Sequence, residues 1–175
     1  MEKWDVYDIH RKKIDKTVTR GDKLDKDTYH LIVHICIFNS KGEMLIQQRQ
    51  PFKKGWSNMW DLTVGGSATA GDTSQDAAER ELFEEIGLKL DFKDTRPHIT
   101  INDDTVFNDI YIVEKDIDVE ELKLQYEEVK AVKWATKEEI FKMIDNEEFI
   151  PYLKSFIQLL FDMKSRYGVR GKEVK

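Results

Sequence analysis

Tyr29 to Phe38 is a nearly continuous run of apolar and β-branched residues, broken by the polar turn Asn39-Ser40-Lys41-Gly42 before Met44 to Arg49. This pattern predicts two strands joined by a tight turn. Upstream, WDVYDIHRKKIDKTVTRGD reads as a two-stranded hairpin, which makes residues 1–28 an extension ahead of the main body. Apolar positions recur at helical spacing from Asp72 to Ile86, with Asp72 or Thr73 as the N-cap and Gly87 as the stop. Further strands are expected at Ile99–Ile101, Val106–Val113 and Val129–Trp134, and further helices at Lys137–Ile144 and, after Pro151, Tyr152–Tyr167. The order of elements predicts an α/β sandwich in one domain, residues 1–175. No repeat or linker divides it, and Gly168 and Gly171 mark 168–175 as a flexible tail.

Composition narrows the function classes. The 28 Lys and Arg against 34 Asp and Glu give a net charge of −6, which offers no general attraction to nucleic acid or an anionic membrane. The single cysteine, Cys36, excludes an internal disulfide and a multi-cysteine zinc site. The opening MEKWDVYDIHRKK has no apolar signal-peptide core, and no run approaches the roughly 18 apolar residues of a membrane span. A soluble cytoplasmic protein without a membrane or nucleic-acid partner is the expectation.

Chemistry concentrates in the segment Arg80-Glu81-Leu82-Phe83-Glu84-Glu85-Ile86-Gly87-Leu88. Steps of three and four place Glu81, Glu84 and Glu85 together on a helix, with Leu82, Phe83 and Ile86 expected on the packing side. Three clustered carboxylates repel one another unless a positive charge sits among them. All-oxygen donors suit Mg²⁺, with Mn²⁺ as the alternative. Just upstream, Val64-Gly65-Gly66 ends an apolar stretch, and its glycines allow close approach of the backbone to a ligand.

The spacing from Gly66 to Asp72 to Arg80-Glu81-Leu82, then Glu84-Glu85 and Gly87-Leu88, resembles the Nudix box. Every defining position matches except the first acid, where the family prefers Glu and this chain has Asp72. The resemblance covers most of Tyr29 to Asp145 and implies a Nudix-type α/β/α sandwich with a mixed sheet. It also implies hydrolysis of a phosphoanhydride in a small diphosphate metabolite, such as a nucleoside diphosphate linked to another moiety. Carried over by position, Glu81, Glu84 and Glu85 bind divalent metal with the Gly65 carbonyl as a further ligand, and Arg80 orients the carboxylates. The base that receives a proton from water is either Glu85 or Glu128. Arg49, and less specifically Lys53 or Lys54, is a candidate for holding phosphate, whereas Asp103 and Asp104 read as a turn.

The hairpin, the Tyr29-His30-Leu31 entry and the loop Lys53 to Trp60 resemble the Nudix subgroup related to isopentenyl diphosphate isomerase. That enzyme places a Cys and a metal-binding His where this chain has Gly65 and Ser67, so the resemblance favours hydrolysis over isomerisation. A noncatalytic nucleotide sensor is a third reading, disfavoured because all box carboxylates are retained. His30 coincides with a histidine of the isomerase pattern, and His34 follows on the same strand face. Cys36 reads as a buried, inert thiol. Phe52, Trp56 and Trp60 suit either a stacked flat group or core closure. The hairpin suits a homodimer contact as well as a substrate lid.

Overall fold

The computed structural model of the chain describes residues 1–171. β1 (Lys3–Tyr7) and β2 (Lys13–Thr19) form the expected antiparallel hairpin. The main sheet comprises β3 (His30–Phe38), β4 (Met44–Arg49), β5 (Trp60–Asp61), β6 (Val64–Ser67), β7 (Ile99–Asn102), β8 (Val106–Glu114) and β9 (Val129–Ala135). It runs β5-β4-β3-β8-β7, with β6 paired to β3 and β9 to β4. The β3–β8 pair is parallel, so the sheet is mixed.

Strand alternation sorts the core into two layers. Leu31, Val33, Ile35 and Ile37 of β3 pack with Ala77, Ala78, Leu82 and Ile86 of α1 (Ser74–Ile86). Cys36 and Phe38 pack on the other side with residues of α2 (Lys137–Asp145) and α3 (Lys154–Met163). The result is the expected α/β/α sandwich. The hairpin joins it through a reciprocal backbone pair between Tyr7 and Tyr29 at 2.8 and 3.0 Å.

The sheet splits where the chemistry sits. β3 and β4 register only at Phe38 and Met44. Beyond that point β3 pairs with β6 over Ile32–Ile35, while β4 turns to β5 and β9. Thr63 bridges the fork: its hydroxyl accepts the Ile37 amide at 2.9 Å and donates to the Leu45 carbonyl. No backbone ladder closes the gap, so a side chain satisfies both strands.

The largest boundary difference from the sequence reading is at the two ends of α3. α3 begins at Lys154 and ends at Met163, inside the expected Tyr152–Tyr167. Leu153 is extended, with ψ 130, and Tyr167 stacks on His98 at 4.0 Å; these placements take both ends out of the helix. Part of the expected flexible tail, 172–175, lies outside the described residues.

Candidate active site

α1 carries most of the polar machinery, and its ends are locally encoded. Thr73, the N-cap, accepts the Asp76 amide at 3.1 Å while the Asp76 carboxylate accepts the Thr73 amide at 2.9 Å, a capping box. Gly87 stops the helix at φ 71, a left-handed conformation that glycine takes without penalty. Asp72 is thereby free of capping duty. It accepts Thr69 N at 3.0 Å and Arg80 Nε and Nη2 at 3.2 and 3.1 Å, so the short aspartate side chain reaches the arginine.

Arg80 is the hub of the site. Besides Asp72, it donates to the Ser67 carbonyl at 2.9 Å, to Glu81 at 2.8 Å and to Glu84 at 3.2 Å. Its planar fork thus ties the loop after β6 to two carboxylates of α1. Partial burial opposes its charge, but Glu81 and Asp72 outweigh that and raise its pKa above the ordinary value.

The three glutamates sit at different depths. Glu84 is half-exposed, Glu81 is mostly shielded, and Glu85 is buried at 6% exposure. Phe83, expected on the packing side, is instead 50% exposed, with Lys89 Nζ 4.8 Å from its ring centre. The helix buries the Leu82–Ile86 stripe, and Phe83 stands about 100° away from Leu82 around the axis.

Glu85 receives the Gln47 amide at 3.0 Å. Burial pushes its pKa well up, and the neighbouring Glu81 adds to this against the opposing bond from Gln47. Burial likewise raises Glu81, partly offset by Arg80. Gly66 makes this crowding feasible, because a Cβ there would lie 2.1 Å from the Glu81 carboxyl carbon.

Among the described residues no three Asp, Glu, His or Cys side chains converge as a preformed metal cage. Arg80 lies between Glu81 and Glu84, and Glu85 turns toward Gln47. The donors nevertheless suit a hard divalent cation. They are all oxygens, Glu85 is buried beside a neutral amide, and the buried Gln47 Oε1 has no hydrogen-bond partner among the described residues. A Mg²⁺ or Mn²⁺ ion could be held by Glu81, Glu84 and Glu85 with the Gly65 carbonyl.

These residues line a cleft of about 260 Å³ with Gly65, Gly66 and Ser67 on one wall and Arg49, Lys53, Gln125 and Glu128 on another. The hairpin adds Glu2 and Arg20, paired at 2.8 Å. The sequence reading left the hairpin open between a dimer contact and a substrate lid and named neither Glu2 nor Arg20, because its local pattern showed a hairpin but not where it docks. A larger depression, about 670 Å³, lies over the start of α1 with Asp76, Glu79, Asp91 and Lys93 and holds none of the box carboxylates.

The NUDIX domain family model matches residues 28–156.

The chain belongs to the Nudix family.

A Listeria innocua Nudix hydrolase is 44% identical over 165 residues, covering 94% of this chain and 96% of that protein. An isopentenyl-diphosphate Delta-isomerase of Shigella flexneri is 27% identical over 121 residues, covering 66% of each chain. The likeness to the isomerase subgroup is therefore present in a Nudix hydrolase. A crystal structure from Deinococcus radiodurans superposes with TM-score 0.73 at 21% identity, covering 91% of this chain and 97% of that one, and shares its fold.

The remaining candidates of this Nudix hydrolase divide clearly. Glu128 and Lys53 form an ion pair at the cleft, and Arg49 lines it, whereas Lys54 is exposed outside it. His30 is buried and stacked on Trp4 at 4.2 Å; burial pushes its pKa down to about 4. His34 Nδ1 lies 2.9 Å from the Asn108 amide oxygen, with the ring against Gly65. Neither histidine lines the cleft. Burial pushes the Cys36 thiol far up, in keeping with an inert core residue. Trp60 is part of β5 and packs against the core cluster under α2 and α3, while Phe52 and Trp56 are exposed. Asp103 and Asp104 form the β7–β8 turn, closed by Asp103 N to the Val106 carbonyl at 3.0 Å. No helix among the described residues is long and apolar enough to cross a membrane.

Proposed function

We propose that this Nudix hydrolase cleaves a phosphoanhydride in a nucleoside diphosphate linked to another moiety, or in a similar diphosphate metabolite, with Mg²⁺ or Mn²⁺. The observation that carries this reading is one small cleft holding both the α1 carboxylates and the cations Arg20, Arg49, Lys53 and Arg80. The carboxylates would hold the metal, and Arg20, Arg49 and Lys53 would receive phosphate oxygens.

Divalent metal supplies charge neutralisation on the diphosphate and a lowered pKa for water. The protein's own part is orientation and proton transfer. Arg80 fixes Glu81 and Glu84 from behind and needs no contact with substrate. Glu85 is suited to accept the proton from water because burial already raises its affinity for one. Glu128 is the alternative acceptor, held at the cleft by Lys53. Gly65 and Ser67 stand where an isomerase would need a thiol and an imidazole, which supports hydrolysis.

The test is turnover of nucleoside triphosphates, dinucleotides, nucleotide sugars, coenzyme A and isoprenyl diphosphates with Mg²⁺ or Mn²⁺, in wild type, Glu85→Gln and Glu128→Gln. Loss of diphosphate cleavage in Glu85→Gln with Mg²⁺ binding retained, or in Glu128→Gln alone, is expected and names the base. Proton exchange into isopentenyl diphosphate without phosphate release would overturn the reading.

A further inference from the structure

Arg49 reaches the cleft from the end of β4 and is held from behind. Its Nε donates to the Gly55 carbonyl at 3.2 Å, and Nη1 lies 3.7 Å from Oδ2 of Asp61. A guanidinium has five N–H groups, so donors remain for a ligand on the cleft side.

Asp61 is itself buried, and its second oxygen is fully engaged. Oδ1 accepts the Leu62 amide at 2.7 Å and the Tyr152 hydroxyl at 3.0 Å. Tyr152 belongs to the α2–α3 connection, which is fastened to β5 by backbone bonds: Trp60 N to the Glu148 carbonyl at 2.8 Å and Ile150 N to the Trp60 carbonyl at 2.9 Å. Its ring packs against Phe149 and Phe156, with centroids at 6.2 and 5.7 Å. Burial raises the phenol pKa well above its ordinary value and the adjacent Asp61 raises it further, so the hydroxyl remains the donor.

A buried carboxylate that accepts a phenol and an amide on one oxygen has little freedom to rotate the other. The cation facing that other oxygen is Arg49. We propose that Asp61 and Tyr152 are positioning residues that hold Arg49 toward the diphosphate, linking the layer under α2 and α3 to the cleft. The inference rests on the hydrolase reading in that Arg49 is taken to meet phosphate. A simple staple for the α2–α3 connection would use the same bond between Tyr152 and Asp61, but would not depend on Arg49.

The experiment is a double-mutant cycle read by calorimetric binding of inorganic pyrophosphate with Mg²⁺, using wild type, Tyr152→Phe, Arg49→Ala and the double variant. Tyr152→Phe keeps the ring and removes only the hydroxyl, and should weaken binding roughly three- to tenfold. Arg49→Ala should weaken it more, and adding Tyr152→Phe should then cost nothing further. Asp61→Asn provides a second probe that preserves shape and should reproduce the Tyr152→Phe loss. Steady-state kinetics of Tyr152→Phe and Arg49→Ala should show the change in KM more than in kcat.

A Tyr152→Phe loss that persists in the Arg49→Ala background would overturn the proposal, as would equal pyrophosphate binding by wild type and Arg49→Ala. Wild type that binds no pyrophosphate also overturns it. Failure of every diphosphate in the turnover panel would sink the hydrolase reading instead, since the binding cycle requires no hydrolysis.

Discussion

Gln47 donates its side-chain amide to the buried Glu85 carboxylate at 3.0 Å, joining β4 to the last turn of α1 across the fork in the sheet. The pair sets an acid against a neutral partner. Charge on Glu85 is therefore costly to the fold while being placed where a cation or a proton relieves it.

Glu85→Gln should abolish turnover, by about a hundredfold or more, and at the same time raise the thermal midpoint in chelator. A carboxylate whose folded pKa is raised binds its proton more tightly in the native state. Stability then falls as pH rises from the ordinary carboxylate value through the raised one. The variant should lose that slope, as thermal melts across this pH range would show.

Gly66→Ala should leave the fold nearly intact and cripple activity. The added Cβ would meet the carboxyl end of Glu81, at 2.1 Å from its carbon, and that end of a flexible side chain can swing away. Circular dichroism close to wild type together with turnover down about tenfold or more is the expected pair of results.

Arg80→Lys should be poorly tolerated despite the retained charge. One ammonium cannot reproduce the fork that meets Asp72, the Ser67 carbonyl, Glu81 and Glu84. A loss of roughly 1–3 kcal/mol of stability and a weaker Mg²⁺ affinity, seen as a shift of the metal titration to higher concentration, are expected. Denaturant melts and metal titrations of turnover would measure them.

His30→Phe should flatten the acid limb of the stability profile. The buried imidazole has its pKa lowered to about 4 from an ordinary 6.5, so the unfolded chain binds a proton more readily between those values. Stability tied to neutral His30 is present above about pH 6.5 and is lost as pH falls toward 4. Phenylalanine keeps the stack on Trp4 and removes the buried, unpartnered Nδ1. Wild type and variant melts should therefore diverge most at the acid end.

Arg20→Ala tests whether the hairpin takes part in the chemistry. Arg20 lines the cleft from the end of β2 beside Glu2, and its loss should raise KM several-fold with less change in kcat. Equal effects on both constants would instead assign it a role in placing Glu2 and the hairpin.

The sequence by itself determined the parts set by local spacing. Steps of three and four grouped Glu81, Glu84 and Glu85, the N-cap signal at Asp72 or Thr73 and the stop at Gly87 bounded α1, and the nearly continuous apolar run from Tyr29 to Phe38 prescribed the strand β3. These depend on the helix and strand repeats, which are fixed within a few residues. The order of depth among the glutamates was not legible. Periodicity gives a direction about the helix axis, whereas depth depends on what the rest of the chain sets opposite. The divergence of β3 and β4 opens the gap in which Glu85 meets Gln47, and it arises from pairings with β6, β5 and β9 that are remote in sequence. The same holds for the docking of Glu2 and Arg20 at the cleft, and for the bond from Tyr152 to Asp61 behind Arg49. Tertiary structure decided these because each joins segments whose local patterns carry no information about one another.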